Sequence, residues 1–208
     1  MPAGVLFVHN NFPAQFRDLP QTLLARGVPC AAIGGAYAPG IPGMLLGRYA
    51  LDRGSAPGVF PLAARAEADL IRAGAAHRIA KALKARGFDP AIIVAHPGWG
   101  EATFLADVWP QARKVMFAEF YYHGRGLDIG FDPEFGEASE EEVLRGEAKN
   151  AVAALAVANA DAIVAPTEFQ ASVFPTIFRP RMRVSHEGVD VDAIRPARAE
   201  PFVLPDGR

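Results

Sequence analysis

Residues 91–101, AIIVAHPGWGE, constrain the fold more than any other stretch of the chain. Ile92, Ile93 and Val94 follow one another without polar alternation, and Pro97, Gly98, Trp99 and Gly100 break the run just beyond His96. Successive strand residues point to opposite faces, so an unbroken apolar run suits a strand covered on both sides, the usual condition in a parallel sheet. The amino-terminal segment repeats the arrangement, with Val5-Leu6-Phe7-Val8 running into His9, Asn10, Asn11, Phe12 and Pro13. Open α/β sheets bind ligands outside the carboxyl ends of their strands. Two strands that stop in polar side chains therefore predict a site along that edge.

Strand-like and helix-like segments alternate through the rest. Strands are expected at about 4–8, 28–33, 58–61, 90–95, 113–120, 161–165 and 182–186, and helices at about 14–26, 62–86, 100–108, 139–159 and 167–174. Alternation of this kind predicts an α/β fold: a doubly wound, mostly parallel sheet with helices on both faces, joined by right-handed crossovers. The helix at 139–159 is the best specified. Ser139 followed by Glu142 makes a capping box, Glu140 and Glu141 lie at the positive end of the dipole, and Leu144, Ala148, Ala151, Val152 and Leu155 form a stripe. In the helix at 62–86 the stripe is Ile71, Ala75, Ile79 and Leu83, with Gly87 as the stop. Pro20 predicts a kink or restart in the first helix.

Residues 34–57 and 122–137 are rich in glycine and proline and take no assignment. Loops of that length are usually functional or disordered. The aromatics Phe131 and Phe135 in the second predict an ordered loop packed over something. With 208 residues the chain is read as one domain, 1–187, followed by a linker at 188–208.

Several classes of function are disfavoured. The net charge is −2 with no basic block, which argues against nucleic acid. The single cysteine, Cys30, makes no internal disulfide or thiolate metal site. The absence of a leader-like start and of a long apolar run points to a cytoplasmic protein without a transmembrane segment. The turn after the first strand lacks the Gly-x-Gly-x-x-Gly of dinucleotide folds, and neither a P-loop nor a Gly-x-Ser-x-Gly elbow is present. The histidines lack helix-borne zinc spacing, so no metal is expected.

Taken in order, HNNFPAQFRDL, HPGWGEATFLADVWP, FAEFYY, FDPEF, APTEFQASVFP and HEGVD resemble the amino-terminal half of bacterial family 4 (group 1) glycosyltransferases, which have two Rossmann-like domains. The resemblance spans almost the whole chain. It implies an acceptor-side domain, with a carboxyl-terminal domain that binds the nucleotide-sugar donor missing beyond PFVLPDGR. The fragment alone would then be inactive. The complete enzyme would move a sugar, with retention, onto a polysaccharide or glycolipid acceptor. A lipid-linked acceptor would place it at the inner membrane surface. The nucleotide-sugar is the only cofactor-like molecule implied, and it is a substrate.

Candidate site residues follow from strand ends and from the resemblance. His9, Asn10, Asn11 and Phe12 are candidates for sugar hydroxyls, although His and Asn also cap helices. His96 is a candidate catalytic group. Gly98, Trp99, Gly100 and Glu101 could offer a stacking face and a hydroxyl acceptor, or merely a turn and a helix start. Glu119 interrupts Val115-Met116-Phe117-Ala118, and a carboxylate in an apolar run is costly unless paired or used. By the resemblance, many relatives place a histidine at this strand end. Glu119 is either an electrostatic stabiliser of a positively charged sugar or a partner of His96 or His123. Tyr121, Tyr122 and His123 form either an acceptor wall or a loop anchor, and His186, Glu187 and Gly188 are placed by the resemblance at the interdomain cleft. The rival classes are a non-catalytic ligand- or partner-binding module and half of a nucleotide-sugar epimerase. An exposed apolar patch on the cleft side would favour the transferase half over the module.

Overall fold

The computed structural model describes residues 4–196 and Leu204. Seven strands form one sheet in the order β3-β2-β1-β4-β5-β6-β7, and every neighbouring pair is parallel. The strands are β1 Gly4–Val8, β2 Cys30–Gly35, β3 Leu45–Tyr49, β4 Pro90–Ala95, β5 Arg113–Phe117, β6 Ala162–Ala165 and β7 Met182–Val184. The helices are α1 Leu19–Ala25, α2 Ala64–Ala85, α3 Leu105–Val108, α4 Glu140–Ala148, α5 Asn150–Ala158 and α6 Glu168–Ser172. Because all strands run the same way, Val8, Tyr49, Ala95, Phe117, Ala165 and Val184 end on one rim.

Alternation within the strands divides the core between two faces. Leu6, Val8, Ile33, Ile93, Ala95, Met116 and Ile163 pack with residues of α2, α3 and α5 on one face. Val5, Phe7, Cys30 and Ala32 pack with Phe12, Phe16, Ala38 and Met44 on the other. This second face is less covered beyond β1. Val94, Val115, Phe117 and Val164 line an open groove of about 520 Å³ that runs to Ser185–Gly188 at the rim.

Three sequence expectations are corrected and one is met. The strand expected at 58–61 is instead the approach to a short 3-10 turn, Pro61–Ala63, that leads into α2. The missing strand is β3, inside the unassigned 34–57. It is a half-exposed edge strand, LLGRY, with glycine at its centre, so it carries little apolar signal. The restart expected at Pro20 is present: a 3-10 turn, Ala14–Phe16, ends before α1, and Pro20 lies in the first turn of α1, which has no use for its missing N–H. The 139–159 helix is capped as expected, Ser139 N–H donating to Glu142 Oε2 at 2.9 Å, but it breaks at Lys149. There Asn150 turns inward, donating to Tyr122 O at 2.7 Å and accepting from Tyr122 N–H at 2.8 Å. Its inward face is Asn150, Val152, Ala156 and Val157, while Leu144 and Leu155 remain exposed.

Residues 197–203 and 205–208 of the expected linker lie outside the described residues. Among the described residues, no helix is long and apolar enough to cross a membrane.

Candidate active site

Three polar side chains from separate strand ends meet at the rim. His9 follows β1, His96 follows β4, and Glu119 stands two residues beyond β5. The imidazoles of His9 and His96 meet edge to face with centroids 5.1 Å apart. His96 Nδ1 accepts the Gly98 N–H at 3.1 Å, and His9 Nδ1 accepts the Asn11 N–H at 2.9 Å. An accepting Nδ1 leaves the proton of a neutral ring on Nε2. His96 Nε2 donates to Glu119 Oε2 at 3.2 Å. Gln15 Nε2 donates to the same oxygen at 3.0 Å, and among the described residues Glu119 Oε1 takes no hydrogen bond.

His9, Ala14, Gln15, His96, Trp99 and Glu119 line one open cavity of about 420 Å³. Ala14 has φ +40°, a left-handed conformation that costs a non-glycine residue about 1–2 kcal/mol. That turn directs Gln15 toward Glu119. Trp99 is held from behind by the Arg65 guanidinium, 5.0 Å from the ring centroid. Arg65 also donates to the Gly98 carbonyl and pairs with Asp69 at 2.8 Å. Asp69 is buried and binds Arg72 at 3.0 Å as well. Its burial raises the carboxyl pKa, and the two guanidiniums oppose that rise. Gly100 closes the turn at φ +96°, where a Cβ would lie 2.1 Å from the Asp69 carbonyl oxygen, so only glycine fits against α2.

Residues 26–194 match the Glycosyl transferase family 4 group. The chain belongs to that family. No match is found among curated proteins. Solved structures with a related fold include the UDP-GlcNAc 2-epimerase of Methanocaldococcus jannaschii (11% identity, TM-score 0.46, 88% of this chain and 45% of that one). Another is the UDP-GlcNAc 2-epimerase of Neisseria meningitidis bound to UDP-GlcNAc (11% identity, TM-score 0.43, 88% of this chain and 46% of that one). The chain thus spans less than half the length of either structure, and likeness at this level carries no functional argument.

Within this glycosyltransferase family 4 chain, several expected site residues lie away from the cavity. Phe12 is wholly buried in the core between Phe7 and its neighbours. Glu101 is 1% exposed and faces inward, where Oε1 meets the Tyr49 hydroxyl. Tyr49 Oη also lies 3.0 Å from Asn10 Oδ1, which turns Asn10 toward β3 rather than into the cavity. Burial raises the pKa of both Glu101 and Tyr49. Asn11 serves through its backbone N–H, and Gly98 and Gly100 shape the turn under Trp99. Tyr121 packs on Phe174, Tyr122 is clasped by Asn150, and His123 Nε2 donates to Val173 O at 2.7 Å, so these three anchor the glycine-rich loop. His186, Glu187 and Gly188 line the neighbouring apolar groove, which shares Ala14 and Gln15 with the cavity.

Gln15, Arg65 and Asp69 were not singled out from the sequence. Gln15 sits between the buried Phe12 and Phe16 and looks like an ordinary helix residue. The Arg65-x-x-x-Asp69 spacing of one helical turn is a common surface pair, and only burial distinguishes it.

The electrostatics of this family 4 site give a stability prediction. Burial, and secondarily the charge of His96, lowers the His9 pKa from 6.5 to about 4. Between those values the unfolded chain binds the proton and the folded chain does not. The contribution of a neutral His9 is therefore complete above pH 6.5 and is lost as pH falls to about 4. The loss should be about 2–3 kcal/mol. A His9→Asn variant should flatten this part of the melting-temperature profile; equal acid sensitivity in both proteins would show that His9 is not responsible.

Proposed function

We propose that this chain is the acceptor-side domain of a retaining glycosyltransferase that moves a sugar from a nucleotide-sugar donor to a polysaccharide or glycolipid acceptor. Glu119 carries the reading: a half-exposed carboxylate fixed by His96 and Gln15 through one oxygen, lining an open cavity with Trp99. The hydrogen bond from His96 is the main cause holding its pKa below the usual carboxylate value, so it is ionised at neutral pH. A fixed negative charge of this kind stabilises the positive charge that grows on a sugar ring as its leaving group departs. The leaving phosphate takes the proton of the attacking hydroxyl on the same face, so no protein base is required. His9 contributes an Nε2–H group near the reacting hydroxyls, His96 holds Glu119 in place, and Trp99 offers a face for the apolar side of a ring.

A second domain, binding the donor, completes the cleft in this reading. The apolar groove between Val94, Val115, Phe117 and Val164 opens at the same rim, which favours a covered surface over that of a free-standing module. No metal is needed in the transfer. Location in the cytoplasm, at the inner membrane surface for a lipid-linked acceptor, belongs to the same proposal.

The test supplies the protein, with its donor-binding domain, with nucleotide-sugars and saccharide acceptors and follows the anomeric proton by NMR. The expected product keeps the configuration of the donor. An inverted product would overturn the retaining mechanism. Donor isomerised without any acceptor would put an epimerase in its place.

A further inference from the structure

A larger cavity, about 620 Å³, lies on the other side of Arg65. Its walls are the start of α2, the loop from Asp128 to Ala138, and the outer side of α4 through Lys149. The volume falls in the range of about 300–1,000 Å³ typical of small-molecule sites. It exceeds the reacting-end cavity of about 420 Å³, which leaves room for further ligand beyond the reacting group.

The loop wall is built in advance. Gly124 N–H donates to Glu147 Oε1 at 2.9 Å, His123 N–H to Asp128 Oδ1 at 2.9 Å, and Gly126 N–H to Ile129 O at 2.9 Å. Ile129 packs directly on Gly146 of α4. A wall held in this way loses little freedom when a ligand arrives.

The lining selects a neutral polyhydroxyl ligand. Asp128, Asp132, Glu137 and Glu142 line one space together with Arg65, Arg145 and Lys149, and Glu142 Oε2 also caps α4 at Ser139. A strongly anionic or cationic ligand would meet a repelling group on some wall, whereas hydroxyls can donate to the carboxylates and accept from the cations. Asp128 and Asp132 each use Oδ1 to hold the loop backbone. Phe131 and Phe135 also line the space and are 69% and 86% exposed, presenting aromatic surface that suits the C–H face of a sugar ring.

One stacked pair joins the two cavities: Arg65 lines the larger, Trp99 lines the smaller, and they touch. We infer that the acceptor is an uncharged oligosaccharide whose reacting unit sits at Glu119 and whose following units cross the Trp99–Arg65 pair into the larger cavity. The inference rests on the glycosyltransferase reading and adds the substrate class.

The test is calorimetric titration of the protein with neutral gluco-, manno- and N-acetylglucosamine oligosaccharides of one to five units. In at least one series the dissociation constant should fall about tenfold or more from one unit to three, equivalent to about 1.4 kcal/mol. A Phe131→Ala/Phe135→Ala double variant should bring the ratio of the two constants close to unity. Both side chains are exposed, and a thermal melt confirms the fold. Affinity independent of length in every series, no binding in any series, or a length gain untouched by the double variant would overturn the inference. Transfer that is as efficient to a single sugar as to a trisaccharide would overturn it while leaving the transferase reading in place. Failure to transfer to any acceptor would instead remove that reading.

Discussion

Glu119→Gln in the transferring enzyme should lower kcat about 100-fold while KM changes by less than about threefold. The substitution keeps the size of the side chain, and an amide oxygen can still accept from His96 and Gln15. What it removes is the charge. If that charge acts mainly on the sugar cation at the transition state, ground-state binding is little altered and the loss appears in kcat. The low pKa adds a pH signature, because activity dependent on ionised Glu119 should persist into acid beyond the range of an ordinary carboxylate. Unchanged turnover would return Glu119 to the role of a structural partner for His96.

Asp69→Asn should destabilise the fold by about 3–5 kcal/mol, because it leaves Arg65 and Arg72 facing a neutral amide in a buried setting. For a chain of this size that corresponds to a fall in melting temperature on the order of 10 °C. The low end of the range is expected, since the two guanidinium side chains are 27% and 24% exposed and can recover some water. The same change frees Arg65 from Trp99, so tryptophan fluorescence should report a loosened ring in protein that is still folded. A thermal shift below 2 °C would show that the two arginines need no carboxylate.

Much of the sheet was legible because several of its strands are apolar runs, although only β1 and β2 are buried throughout, and β4 leaves Ile92 exposed and Val94 on the open groove. β3 was not, since an edge strand with a glycine core and half-exposed sides carries neither the run nor the alternation. The helical pattern of 139–159 did not show the break at Lys149, which arises from a tertiary clasp between Asn150 and the Tyr122 backbone. At the rim, His9, His96 and Glu119 could be named because each follows an apolar run, and the structure brings them together. Chain proximity misled for Phe12 and Glu101. Both are close in sequence to rim residues, but the turn at 10–13 and the tight turn at Gly100 send them into the core. The Arg65–Asp69 support comes from another element entirely, and no local pattern announces that a surface-type ion pair is buried.

Gly47, in the middle of β3, is far in sequence from every group discussed at the rim, but its missing side chain sets the height of α2. A Cβ there would come within 2.3 Å of Ile79 Cγ2. Arg65 lies 14 residues before Ile79 on the same rigid rod, about 21 Å along its axis. Any bulk added at this distant fulcrum would tilt the rod and shift the tryptophan's support with it. Variant libraries that probe the rim cavity would therefore gain from including Gly47, which is remote from the cavity itself.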